Sequence, residues 1–163
     1  MLRILLVDDE PNILRALRRC LADIDVREID AEALGFETFT SPEAAIERSD
    51  YQAFDLVISD YRMPSMSGVE FLARIMAIQP DAPRMIISGY ADRDAIIAAV
   101  NEARLIRFVE KPWNDDELRR SVVSILGGPD KEAPRRAPDG GLDGRLVERD
   151  ENGGIWISDD SID

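Results

Sequence analysis

The chain has 163 residues, of which 45% are hydrophobic and 33% charged, and its formal net charge is −13 at pH 7. Nucleic acids and anionic lipid surfaces repel such a charge, so we expect no binding to nucleic acid or to a membrane. The chain contains no histidine, which excludes His-based chemistry, and its single cysteine, Cys20, excludes an internal disulfide. This composition, without an apolar run long enough to cross a bilayer, favours a cytoplasmic protein.

Short apolar runs alternate with segments of helical periodicity along the first 126 residues. The apolar runs predict strands at 3–7, 36–40, 56–59, 85–88 and 106–109. Helical spacing and capping residues predict helices that begin near Asn12, Ser41, Gly68, Asp92 and Asn114. Strands that alternate with helices predict an α/β fold, in which a five-stranded parallel sheet is covered by helices on both faces.

Two segments do not follow this alternation. Residues 24–34 mix acidic and apolar side chains, and they either extend the first helix or form a loop. From Gly127 the chain is rich in proline, glycine and charge, which is typical of a linker. Two β-like runs within 145–158 can form a β-hairpin, although a hairpin alone is marginal in water. We therefore expect a domain at 1–126 and a linker with an acidic tail at 127–163.

Polar residues follow or end four of the predicted strands. They are Asp8 and Asp9 after the first strand, Asp60 at the end of the third, Ser88 at the end of the fourth and Lys111 after the fifth. The carboxyl ends of parallel strands lie at one edge of a sheet, which is where open α/β sheets bind ligands. We expect these five residues to converge there.

The predicted cluster suits phosphoryl chemistry. Three carboxylates repel one another unless a cation neutralises them, and oxygen ligands at an open site favour Mg²⁺. A carboxylate such as Asp60 can attack phosphorus and form an acyl phosphate. Lys111 and Ser88 can then supply a positive charge and a hydrogen bond to the phosphoryl oxygens.

Four motifs in this order resemble the receiver domain of two-component response regulators, from Leu2 to about Leu126. They are Val7-Asp8-Asp9-Glu10, Ser59-Asp60-Tyr61-Arg62-Met63-Pro64 with Gly68, Ile87-Ser88-Gly89, and Phe108 with Lys111-Pro112. The resemblance implies a flavodoxin-like sheet with strand order 2-1-3-4-5. It also implies that the Lys111–Pro112 peptide bond is cis.

The resemblance assigns roles to the site residues. It implies that Asp60 is the phosphoacceptor, and that Asp9, Asp60 and the carbonyl of Arg62 bind Mg²⁺, with Asp8 acting mostly through water. Ser88 and Phe108 match the family's switch pair, in which the hydroxyl moves toward the phosphoryl group and the aromatic ring moves inward.

The same resemblance implies a signalling protein rather than an enzyme, with at most slow hydrolysis of its own acyl phosphate. A sensor histidine kinase or a phosphotransfer protein donates the phosphoryl group, and an unidentified protein reads the altered surface. For the tail three interpretations stay open: it covers that surface in the resting state, it pairs edge to edge between two copies in a homodimer, or it is no more than a disordered end. It is too short for an output domain.

Three alternatives remain open at this point. The first is a phosphate sink or shuttle in a phosphorelay, without an output of its own. The second is an interaction module that binds through its tail and has a vestigial site. The third is a hydrolase of the haloacid-dehalogenase type, whose signature has a second Asp two residues after the nucleophile, where this chain has Arg62. The resemblance also places Arg62 and Tyr90 at the family's variable positions that flank the phosphoryl group, and we expect them to tune the acyl-phosphate lifetime by controlling water access.

Overall fold

The structure is a computed structural model, and it describes residues 1–98, 107–127, 145–149 and 155–159. Its helices and strands are, in chain order, β1 (Leu2–Val7), α1 (Pro11–Ala22), β2 (Leu34–Phe39), α2 (Pro42–Ser49), β3 (Leu56–Asp60), α3 (Gly68–Ile78), β4 (Arg84–Gly89), α4 (Arg93–Ala98), β5 (Arg107–Lys111), α5 (Asp115–Leu126), β6 (Arg145–Arg149) and β7 (Ile155–Asp159). Residue 106, the predicted helical residues 99–100, most of the linker and the hairpin turn lie outside the described residues.

Strands β1 to β5 form a parallel sheet in the order β2-β1-β3-β4-β5. This confirms the predicted fold class and strand order. The sheet continues beyond β5, because β7 pairs antiparallel with Arg107 and Phe108, and β6 pairs antiparallel with β7. The full order is therefore β2-β1-β3-β4-β5-β7-β6.

The core has two layers, one on each face of the sheet. Leu5 and Val7 of β1 pack with residues of α2 and α3, whereas Ile4 and Leu6 pack with residues of α1 and α5. Strands buried on both faces contain continuous apolar runs rather than alternating ones, which is the pattern read in the sequence.

Segment 24–34 is a loop with one 3₁₀ turn, Val26–Ile29, so the alternative of an extended first helix is wrong. Helix α1 ends at Ala22, and Ile24 and Ile29 join the core beside α1 and α5. The side chain of Asp25 accepts a hydrogen bond from the backbone N–H of Arg27, which stabilises the start of the turn. The apolar residues of segment 24–34 therefore pack onto the core layer formed by α1 and α5.

Two of the helices start at the capping residues that the sequence predicts. Ser41 Oγ accepts a hydrogen bond from Ala44 N at 3.1 Å, and Asn114 Oδ1 accepts one from Glu117 N at 3.0 Å. Helix α1 instead begins at Pro11 with Glu10 in the capping position, so the expectation that Asn12 caps this helix is wrong. Proline at the first helical position has no N–H to satisfy there. In the part of the chain that the structure describes, no helix is long and apolar enough to cross a membrane.

Candidate functional site

Three carboxylates meet at the carboxyl edge of the sheet. Asp8 and Asp9 follow β1 directly, and Asp60 is the last residue of β3. Val7 pairs with Ser59, so Asp8 and Asp60 leave two adjacent strands side by side. One carboxylate oxygen from each of Asp8, Asp9 and Asp60 lies within 4.8 Å of the others. The structure thus brings the three predicted acids together, at a spacing that a cation could bridge.

Burial makes this cluster electrostatically costly. Asp8 is 1% exposed and Asp60 is 8% exposed. Desolvation raises the pKa of Asp8 to about 6, although Asp8 Oδ1 accepts a hydrogen bond from the backbone N–H of Glu10 at 2.8 Å. Desolvation also raises the pKa of Asp60, in spite of its contact with Lys111. An open group of half-desolvated carboxylates is the donor set that a hard divalent cation prefers.

Lys111, the last residue of β5, supplies a positive charge to the cluster. Its Nζ lies 3.0 Å from Asp60 Oδ1 and 3.3 Å from Asp8 Oδ2. Burial lowers the pKa of Lys111, but the hydrogen bond to Asp60 and the charges of Asp8 and Asp60 outweigh that effect and raise it. Lys111 is therefore charged. The next peptide bond, Lys111–Pro112, is cis, as the resemblance implied.

The loop after β3 folds back against the end of that strand. Gly68 N donates a hydrogen bond to Tyr61 O at 2.7 Å, and a side chain at position 68 would overlap the carbonyl oxygen of Asp60. Met63 and Met66 anchor the loop in the core. On its outer side the loop, together with Asp9, lines an open cleft of about 670 Å³ beside the carboxylates. A ligand can thus approach the cluster from solvent.

Ser88 and Phe108 lie on neighbouring strands. Ser88 is buried near the end of β4, and its hydroxyl donates to Asp92 Oδ2 at 2.8 Å. Phe108 in β5 is already fully buried, in the core on the α2 and α3 face. The switch roles of Ser88 and Phe108 remain predictions.

Arg62 contributes an ion pair beside the cluster. Its guanidinium lies 2.6 Å from Asp92 Oδ1. Asp92 was predicted only as the start of a helix, so its contacts with Arg62 and Ser88 were missed. The sequence signal that could have indicated them is an acid four residues after Ser88. The side chain of Tyr90 lies outside the described part of the structure.

Comparison with protein families gives one match over most of the chain. A family model described as the response regulator receiver domain matches residues 4–123. A hydrogenase transcriptional regulatory protein, HoxA of Bradyrhizobium diazoefficiens, is 41% identical over 123 residues, which are 76% of this chain and 24% of HoxA. The chain thus spans about a quarter of the length of that regulator.

The chain is also similar to solved structures over most of its length. An uncharacterised protein from Neptuniibacter caesariensis is 37% identical with a TM-score of 0.69, and the match covers 84% of this chain and 97% of that one. The signal receiver domain of an HD domain-containing protein from Pseudomonas fluorescens Pf-5 is 30% identical with a TM-score of 0.69. That second match covers 82% of this chain and 93% of the other.

Proposed function

The chain belongs to the response regulator receiver domain family, and on that premise we propose that Asp60 accepts a phosphoryl group in a two-component signalling system. One observation carries the proposal. The ammonium of Lys111 contacts both Asp60 and Asp8 inside a cluster that also contains Asp9. A nucleophilic carboxylate, a fixed cation and two further acids in one cluster beside an open cleft are the parts that acyl-phosphate formation needs.

The transfer can be written with its atoms in balance. An Oδ atom of Asp60 attacks the phosphorus of a phosphohistidine donor, and a P–O bond forms as the bond between phosphorus and the imidazole nitrogen breaks. The electron pair of the broken bond stays on that nitrogen, so the donor leaves as imidazole. Lys111 faces the Asp60 side of the reacting group and balances charge on a phosphoryl oxygen.

The residues present fit a magnesium ion. We propose that Asp9, Asp60 and the backbone carbonyl of Arg62 hold Mg²⁺, and that Asp8 acts mostly through water. The raised pKa values of Asp8 and Asp60 support this, because they express the cost of desolvated, unneutralised carboxylates. When bound, Mg²⁺ would neutralise the cluster and the charge on the phosphoryl oxygens.

The signal leaves the site through Ser88 and Phe108. The Ser88 hydroxyl turns toward the phosphoryl group, and Phe108 adjusts within the core, which changes the surface built by α4, β5 and α5. Because Phe108 is already buried, the response of its ring is a repacking rather than an entry from solvent. A histidine kinase or phosphotransfer protein serves as the donor, and an unidentified protein reads the surface.

The test is intact-mass analysis after incubation with acetyl phosphate and Mg²⁺. The wild-type chain should gain the mass of one phosphoryl group and lose it in hydroxylamine, which cleaves acyl phosphates. Asp60→Asn should gain none, whereas Asp50→Asn, an exposed acid at the end of α2, should behave as wild type. Labelling that persists in Asp60→Asn, or wild-type protein that never gains mass, would contradict the proposal.

A further inference from the structure

The hydroxyl of Ser88 already has an acceptor in this structure. Its Oγ donates to Asp92 Oδ2 at 2.8 Å, and both side chains are buried. A serine hydroxyl has one proton to donate. While that proton is directed at Asp92, it is unavailable to a phosphoryl oxygen on Asp60. The two acceptors therefore compete for a single donor.

Asp92 is a strong competitor because its carboxylate is a charged acceptor that lies at hydrogen-bond distance from Ser88 Oγ. Arg62 Nε donates to Asp92 Oδ1 at 2.7 Å, and Arg62 Nη2 lies 2.6 Å from the same oxygen. A hydrogen bond to an ionised acceptor is about twice as strong as one between neutral groups.

Local chain geometry sets up this contact. The 3₁₀ turn Tyr90–Asp92 follows β4 and brings Asp92 back toward Ser88, directly before α4 begins at Arg93. Arg62 reaches Asp92 from the loop after β3, two positions beyond Asp60. The Asp92 carboxylate therefore connects the loop that follows Asp60 with the turn that leads into α4.

We propose that Asp92 is a positioning residue that holds the Ser88 hydroxyl in a resting orientation and sets the threshold for switching. This inference rests on the proposed function, since it assumes a phosphoryl group on Asp60. When that group is present, the Ser88 hydroxyl exchanges Asp92 for a phosphoryl oxygen, and Asp92 keeps its ion pair with Arg62. Weakening the contact between Ser88 and Asp92 should favour the switched state.

The experiment measures the affinity for beryllofluoride, a phosphoryl mimic, in saturating Mg²⁺ by ¹⁹F NMR. Asp92→Asn keeps the size of the side chain and suits a helix start, but it removes the charge. We expect this variant to bind beryllofluoride on the order of five- to tenfold more tightly than wild type. Asp92→Ser, whose side chain is too short to reach Ser88, should show at least the same gain. Thermal denaturation of each variant checks that the fold is intact.

Three backgrounds identify the route by which Asp92→Asn acts. In Ser88→Ala the gain from Asp92→Asn should vanish, whereas in Ser88→Thr, which restores a hydroxyl, it should return. In Arg62→Ala the gain should persist, because the route does not pass through a freed guanidinium. A residue with a purely structural role would not show this dependence on the hydroxyl at position 88.

The outcomes separate the two proposals. If wild-type protein fails to bind beryllofluoride at all, the proposed function fails and this inference fails with it. If wild type binds but Asp92→Asn and Asp92→Ser do not bind more tightly, only the inference is overturned. A gain that survives in Ser88→Ala, or disappears in Arg62→Ala, assigns the effect to another route and also overturns it.

Discussion

The ammonium group of Lys111 lies 3.0 Å from Oδ1 of Asp60, although 51 positions separate the two residues along the chain. The same ammonium lies 3.3 Å from Oδ2 of Asp8. A cation in this position repels a second cation at the cluster and attracts an anion. Removing the charge of Lys111 should therefore shift the two affinities in opposite directions.

For Lys111→Met we expect Mg²⁺ to bind about three- to tenfold more tightly, because the carboxylates lose an internal competitor. Beryllofluoride should bind more than about tenfold more weakly, because a charged hydrogen-bond donor is lost. Isothermal titration calorimetry measures both constants. Arg74→Met is the matched control, since its guanidinium pairs with Glu70 on the exposed face of α3 and the change in net charge is the same. If the affinities for Mg²⁺ and for beryllofluoride both fell in Lys111→Met, the proposed competition between Lys111 and Mg²⁺ would be contradicted.

The strands and helices were predictable because their signals are local. The apolar run at 56–59 and the helical spacing from Gly68 to Ile78 lie within single elements, and the structure places β3 and α3 there. The convergence of Asp8, Asp60 and Lys111 followed from one general property of parallel sheets. The positions of the apolar runs and the topology of a parallel sheet were together sufficient to predict that Asp8, Asp60 and Lys111 meet.

The remaining features depend on contacts between distant segments. Arg62 and Asp92 are 30 positions apart, and no periodicity links the loop after β3 to the turn before α4. The side-by-side pairing of β7 with β5 joins positions 47 or more apart, and an edge strand accepts any extended partner with suitable geometry. Asn12 is a residue type that caps helices, but Pro11 is the first residue of α1, so the cap lies two residues earlier, at Glu10.

Gly68 is required by the close approach of the chain to the end of β3. A Cβ at this position would overlap the backbone carbonyl oxygen of Asp60, and it would lie 3.0 Å from Tyr61 Cα. Backbone cannot yield as a flexible side chain can, so Gly68→Ala should lower the free energy of unfolding by about 1–3 kcal/mol. It should also weaken beryllofluoride binding, because Asp60 must move. Urea denaturation and the same titration measure the two effects.

Gly89 provides the matched control for that substitution. A Cβ built there meets no atom of the described residues within 4 Å. Gly89→Ala should therefore change the free energy of unfolding by less than about 0.5 kcal/mol. Equal losses at positions 68 and 89 would show that the overlap with Asp60 is not the cause.

Cys20 should make the folded protein less stable in alkali. Burial raises the pKa of its thiol from 9.0 to about 12. Because the folded pKa lies above the unfolded one, the contribution to stability is complete below pH 9 and is lost as the pH rises toward 12. In Cys20→Ala the free energy of unfolding should not show this part of its decline with pH. The smaller side chain also changes that free energy, but by the same amount at every pH.

Thiol labelling checks the same property independently. At pH 8 we expect iodoacetamide to react with Cys20 in folded protein more than about a hundredfold more slowly than in urea, since the thiolate is the reactive form. The thiol lies between Asp115 O, at 3.6 Å from Sγ, and Arg119 Nη1, at 3.7 Å from Sγ. Rapid labelling of the folded chain would show that α1 and α5 separate readily.

The tail should protect the edge of the sheet. β7 pairs with Arg107 and Phe108 on the side of β5 that β4 leaves free. Deleting residues 128–163 removes this cover and exposes backbone donors and acceptors that another chain can pair with. We expect the deleted form to self-associate more strongly than the full chain, as measured by sedimentation equilibrium at matched concentrations.

A proline in β7 separates the loss of pairing from the loss of chain length. Trp156 pairs with Arg107 on one side and with Glu148 on the other, so its backbone N–H faces β5 or β6. Proline has no N–H, and Trp156→Pro therefore disrupts the arrangement in either case while keeping all 163 residues. This variant should self-associate as the deletion does. If both variants sediment as the wild type does at every concentration, the tail does not protect this edge, because exposing β5 would then create no new contact between chains.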